Sequence, residues 1–235
     1  MEIVPLSWDS MFFNLRIARL NVDEQDEVGE VLAFAESQRG LYDLIYIFCP
    51  ENYFLPEHAM EHCTLVDQKV IYAGKVDGCS FQKDSIHIYD SDIPNEDLYE
   101  LAKVSAMYSR FKTDLHLGPD AYVRLYNRWI ENSVNRQMAD VVMCYYDNSY
   151  IVGMVTAKEK DDTAVIGLVA VAQQMQSQGI GSNLMRALQK WAFDNEIQQW
   201  EVATQLQNEK ACTFYEKLNM KKRSVTNIYH YWLVY

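Results

Sequence analysis

The sequence predicts an α/β protein, and three observations carry that expectation. Residues 163–171, TAVIGLVAV, are a run of mostly β-branched residues that reads as a buried strand. Directly after it, QQMQSQGIGSNLM sets two of the chain's nine glycines one residue apart, and beyond them Leu184, Leu188, Trp191 and Ala192 recur at helical spacing. The rest of the chain alternates short strand and helix patterns in the same way. Its 235 residues, 49% hydrophobic and 23% charged, suffice for one large globular domain or one domain with a smaller partner.

From the start, residues 22–40 read as an amphipathic helix closed by glycine, with Val28, Val31, Leu32 and Ala35 as the apolar stripe. Residues 41–49 follow as a strand, 56–63 as a short helix, 64–76 as a strand and 85–90 as another. The segment SDIPNED, with a proline among capping residues, marks a boundary near 93. A helix is expected over 96–111, then a loop to 120 and a second helix over 121–134. DVVMCYYD and YIVGMVTAKE, joined at Asn148 and Ser149, form a hairpin. After the glycine junction come a helix, a strand over 198–206, a helix from about Asn208, and two closing strands. A faint helix–turn–strand echo links 57–76 with 208–234.

Composition excludes several functional classes. No run of about 18 apolar residues is present, so no membrane span is expected. The start, MEIVPLSWDS, lacks a positive region followed by an apolar one, so no secretion signal is expected. Cys49, Cys63, Cys79, Cys144 and Cys212 are scattered without a C-x-x-C pair, which predicts reduced thiols, a cytoplasmic location and no metal. A formal net charge of −12 argues against nucleic acid as a partner, whereas small anions can still be held by backbone amides and a few local cations.

The glycine junction supplies such amides. Glycine admits backbone conformations closed to other residues, and a helix mouth adds orphan N–H groups and the positive end of its dipole. In this order of elements, Gln176-x-x-Gly179-x-Gly181 resembles the Q/R-x-x-G-x-G/A signature of the GNAT N-acetyltransferases. The resemblance implies the acyl-CoA N-acyltransferase fold, a mixed central sheet flanked by helices, over 94–235, with a smaller α/β domain over 1–93. It implies acetyl-CoA as cosubstrate, its pyrophosphate held by the loop Gln176, Ser177, Gln178, Gly179, Ile180, Gly181 and Ser182. It also implies that the preceding strand splays from its neighbour, so that Leu168, Val169 and Val171 meet the pantetheine arm through main chain. Gly167 suits the bulge this needs, or marks a close packing contact.

Acetyl transfer to an amine needs an unprotonated amine, a polarised thioester and a proton for the departing thiolate. The resemblance puts a tyrosine donor on the helix after the penultimate core strand. There Ala211, Phe214 and Leu218 take the core side by spacing and Tyr215 lies beside them. Asn208 reads as the cap of that helix, and in the family this asparagine often contacts the cosubstrate. The glutamate that many relatives carry on the splayed strand has no counterpart in TAVIGLVAV. Asp114, His116 and Asp120 are candidate bases by type, each expected to be solvated.

Residues 109–134, 201–233 and the opening LSWDSMFFNLRIARL resemble the acetyltransferases that modify dTDP-linked 4-amino-4,6-dideoxygalactose in bacterial surface polysaccharide synthesis. The similarity is clear over 91–235 and thin over 23–90. It implies a nucleotide-sugar partner, with Arg110 and Lys112 as cations for the diphosphate and Tyr126 or Trp129 beside a ring. Arg124 and Arg128 equally fit a solvated helix face, and Trp129 a core position. A homodimer, another small amine or a protein N-terminus as acceptor, and a non-catalytic CoA-binding module stay open.

Overall fold

The computed structural model describes residues 1–56, 62–78 and 80–234. Its strands are β1 (Glu2–Pro5), β2 (Ile17–Asn21), β3 (Leu44–Pro50), β4 (Cys63–Lys75), β5 (Ile86–Ile88), β6 (Val141–Asp147), β7 (Tyr150–Lys160), β8 (Thr163–Val171), β9 (Gln199–Gln205) and β10 (Lys221–Trp232). Its α-helices are α1 (Ser7–Phe13), α2 (Val28–Ser37), α3 (Glu96–Ser105), α4 (Arg110–Thr113), α5 (Ala121–Val134), α6 (Ile180–Asp194) and α7 (Glu209–Lys217). The short helix expected over 56–63 falls largely outside the described residues. No described helix is long and apolar enough to cross a membrane.

All ten strands join one sheet in the order β1-β2-β3-β10-β4-β9-β8-β7-β6-β5. It is mixed: β2 pairs with β3 and β8 with β9 in parallel, and the other neighbours are antiparallel. β4, from the first 93 residues, lies between β9 and β10, so both parts of the chain build one hydrogen-bonded surface.

Two helical layers cover it. α3 and α5 bury Leu98, Leu101, Leu125 and Ile130 against Met154, Leu168 and Ala170. α6 buries Ile180, Leu184, Met185 and Leu188 on the opposite face, with Val155, Ile166 and Val202. Each such side chain contributes about 1.5–3 kcal/mol by leaving water. A third cluster packs Val31 and Ala35 of α2 onto Leu20, Ile45, Ile47 and Tyr229.

Three expected elements differ. The helix expected over 22–40 is shorter, spanning Val28–Ser37. The helix expected over 96–111 stops at Ser105, where the chain turns. Ser109 then caps α4, its side chain accepting from the Phe111 N–H. The two closing strands are one long strand, β10, because it pairs with β4 from Lys221 to Tyr231, Arg223 aside, and with β3 from Thr226 to Trp232, which leaves no room for a turn. The chain absorbs the mismatch as register shifts at 222/224 and 228/229.

Candidate active site

β8 and β9 pair only over residues 163–166 and 199–202. Beyond that point β8 stays with β7 as far as Val171, and β9 stays with β4 as far as Gln205. The two strands therefore fork, and each turns a row of unpaired main-chain groups toward the gap. A cleft of about 620 Å3 opens there, lined by Leu168, Val169 and Val171 on one side and Val202, Thr204 and Gln205 on the other.

The fork has a local cause. Val155 pairs with Val169 and Ala157 with Ile166, so Thr156 alone faces both Gly167 and Leu168, a β-bulge. The Leu168 N–H donates to Thr156 Oγ1 at 2.9 Å. A Cβ at Gly167 would come within 2.9 Å of the same oxygen. The glycine is thus both the bulge residue and a point of close approach. The extra residue also inverts the strand's alternation: Ala164 and Ile166 join the core beneath α6, whereas Leu168 and Ala170 join the core beneath α3 and α5.

At the end of β8, Gln176 Nε2 donates to the Val171 carbonyl at 3.1 Å and ties the loop to the strand. Ser177 (φ 63°) and Gly179 (φ 77°) both turn left-handed, a combination that curls successive amides inward. α6 begins at Ile180 behind Gly179 and has no side-chain cap. By contrast, Asn95 caps α3 and Asn208 caps α7. The first-turn amides of α6 are left facing the loop, with the helix dipole behind them. Gly181 lets this turn close on Phe214, whose Cζ would stand 3.4 Å from an added Cβ.

α7 places Tyr215 in the cleft wall, 5% exposed. Cys212 and Tyr215 are the buried residues of this helix, while Ala211, Phe214 and Leu218 are only partly buried, so the expected core side is rotated toward the tyrosine. Burial raises the Tyr215 hydroxyl above the ordinary phenol range, with Cys212 adding to the effect. Its ring packs 5.9 Å from that of Tyr72 on β4, whose hydroxyl donates to Glu216 Oε1 at 2.9 Å.

Across the fork, Tyr126 and Trp129 of α5 line the cleft with their rings 4.6 Å apart. Behind Gln205 lies Asp67 of β4, 7% exposed, with Oδ1 lacking a hydrogen-bond partner. Burial pushes its carboxyl up to about 6, against the opposing charges of Arg110 and Lys69.

The model of the Acetyltransferase (GNAT) family matches residues 96–220, a span that takes in the fork, the glycine loop and Tyr215. The chain belongs to the GNAT acetyltransferase family. This acetyltransferase uses acetyl-CoA as its acetyl donor. It is 28% identical over 234 residues to the dTDP-fucosamine acetyltransferase of Escherichia coli O6:H1, covering 99% of this chain and 97% of that one. It is 26% identical over 137 residues to the spore coat polysaccharide biosynthesis protein SpsD of Bacillus subtilis strain 168, covering 58% of this chain and 47% of that one, about half its length. A conserved protein of unknown function from Staphylococcus epidermidis shares the fold, with a TM-score of 0.65 at 16% identity over 93% of this chain and 84% of that one.

The fold brings together Leu168, Val169, Val171, Gln176, Asn208, Tyr215, Tyr126 and Trp129 on the cleft of the acetyltransferase. Ser177, Gln178, Gly179, Gly181 and Ser182 form the adjoining loop and helix mouth, and Ile180 sinks its side chain into the core. Arg110 and Lys112 do not line the cleft. Arg110 lies over the rings of Tyr46, Phe48 and Phe111, and Lys112 over Tyr122.

Asp114 is not solvated as expected. It is 6% exposed and accepts from His230 Nδ1 at 2.5 Å and Trp232 Nε1 at 3.0 Å, which fixes it as a structural anchor. Asp67, Thr204 and Gln205 escaped the sequence reading. A lone acid in the strand pattern TLVDQKV reads as a solvent-facing residue, and only the place of β4 in the sheet buries it.

Proposed function

We propose that this acetyltransferase moves the acetyl group of acetyl-CoA onto the amine of a dTDP-linked 4-amino-4,6-dideoxy sugar, by direct attack within a ternary complex. The observation that carries this reading is the end-to-end match with the dTDP-fucosamine enzyme, which includes the thinly similar region supplying β4 and Asp67.

In this reading the amides of Gln176 to Ser182 grip the pyrophosphate of acetyl-CoA, and the free edge of β8 at Leu168, Val169 and Val171 pairs with the pantetheine arm. Asn208 contacts the same arm while capping α7. The thioester then lies in the fork beside Tyr215. The amine nitrogen attacks the carbonyl carbon, the C–N bond forms, and the C–S bond breaks. Tyr215, kept protonated by burial, gives its proton to the sulfur. Asp67, ionised above about pH 6, takes the proton lost by the amine, directly or through water. Tyr126 and Trp129 give the acceptor an aromatic wall. Electron-withdrawing oxygens on a sugar also lower the amine's proton affinity, so a carboxylate of this strength suffices.

Thiol release from acetyl-CoA across a panel of dTDP-amino sugars tests the assignment. We expect turnover on a 4-amino-4,6-dideoxy sugar, and a fall in kcat of roughly 10²-fold in Tyr215→Phe. dTDP added with CoA should raise the melting temperature further than CoA alone. A panel without turnover, together with no dTDP protection, would refute the acceptor assignment.

A further inference from the structure

Arg19, Lys69 and Arg110 bring three cations to one face of the sheet in a chain of formal net charge −12. Among the described residues none of the three makes an ion pair. Strand register puts them together. Arg19 of β2 is opposite Tyr46 of β3. Phe48 and Asp67 both face Ile228 of β10 from its two sides, and Lys69 is opposite Gln205 of β9. Alternate residues along a strand share a face, so Tyr46, Phe48, Asp67 and Lys69 present one continuous surface.

The guanidinium groups converge over that surface. Arg19 lies 5.5 Å from the Phe48 ring centroid, and Arg110 lies 5.6 Å from the same centroid and 4.4 Å from that of Tyr46. β2 and β4 are three strand spacings apart, about 14 Å, a gap that long basic side chains narrow from both sides. Burial and then the nearby charge of Arg110 lower the Lys69 ammonium, so these cations crowd one another. Asp9 and Asp67 lie near Arg110 without reaching ion-pair distance, and burial raises both carboxyls. Arg19 Nε and Asp67 Oδ1 are buried without a hydrogen-bond partner.

Aromatic faces beneath a guanidinium leave its N–H edge free for an anion, and the planar fork suits phosphate oxygens. The surface meets the cleft at Gln205, the β9 partner of Lys69. We propose that the paired phosphates of the acceptor nucleotide bind across this face, held by Arg19, Lys69 and Arg110. The assignment rests on the nucleotide-sugar reading above. It gives the first 93 residues a direct part in acceptor recognition, through Arg19 and Lys69, and leaves Lys112 outside the site.

Calorimetric titration of the CoA-saturated protein with dTDP, and separately with inorganic pyrophosphate, tests this. In Arg19→Gln and Lys69→Gln we expect dTDP affinity to fall about tenfold each. CoA affinity and melting temperature should stay at the wild-type values, and KM for the nucleotide sugar should rise with little change in kcat. Wild-type dTDP affinity in both folded variants would overturn the phosphate assignment and leave the proposed reaction standing. Pyrophosphate binding that both variants weaken, with no dTDP binding to the wild type, would keep an anion site here and overturn its nucleotide ligand. Failure of both ligands to bind the wild type would overturn the proposal outright.

Discussion

Tyr215 and Asp67 hold their protons more tightly than the same groups in water, and desolvation is the leading cause for both. The consequences are opposite. A phenol pushed upward remains a donor at every pH where the protein works. A carboxyl pushed to about 6 changes charge inside that range. We therefore expect kcat/KM to rise with pH through about 6, as Asp67 ionises. Asp67→Asn should remove that limb and lower kcat by roughly 10²-fold. A pH–rate profile of the variant that keeps the limb would take Asp67 out of the proton path. Tyr215 comes from the family resemblance, since helical spacing alone sets Ala211, Phe214 and Leu218 on the core side and the tyrosine only beside them. Asp67 was not legible in the sequence, because nothing within a few residues of it betrays that a helix will cover its strand.

At the scale of the element, the fork depends on one side chain and one missing side chain. Thr156→Val removes the acceptor of the Leu168 N–H, and an orphaned buried donor costs about 1–3 kcal/mol. Gly167→Ala forces a methyl against the threonine oxygen. We expect each variant to weaken CoA binding as well as stability, measured by calorimetry and urea unfolding. Normal CoA affinity in both would separate the bulge from cosubstrate binding. Elements whose signal is local could be read from the chain: the β6–β7 hairpin, the β-branched run of β8, and the amphipathic stripe of α6. The break between α3 and α4 could not, since Ser109 restarts a helix where the apolar spacing continues. Nor could the single length of β10, since its continuity comes from pairing with β4 and β3, which lie far away in the chain.

The whole molecule shows the limit of local reading most clearly. Asp67 comes near Tyr126, and Lys69 near Arg19, only because β4 lies between β9 and β10, and sheet order leaves no mark on a strand's own residues. Global stability carries a related signature in its pH dependence. His230 is fully buried, donates from Nδ1 to Asp114, and has an unpartnered Nε2; burial lowers it to about 4. As pH falls below the unfolded value of about 6.5, the unfolded chain gains this proton first, so stability is lost on the way down to about 4. Asp67 works the other way: raised to about 6, it takes up its proton first in the folded chain, and stability is recovered as pH falls through that value. Asp114, lowered below the ordinary carboxylate range, acts only at more acid pH. Urea unfolding of Asp67→Asn should show a loss of about 2 kcal/mol between pH 6.5 and 5, and the wild type a smaller one. Equal losses would mean that the two groups do not oppose each other. The placement of β4 also orders events during translation. The ribosome releases this strand on the order of ten seconds before Gln199 emerges. Throughout that interval neither flank of β4 has its native neighbour, so the nascent chain carries an open template for mispairing until its last third is made.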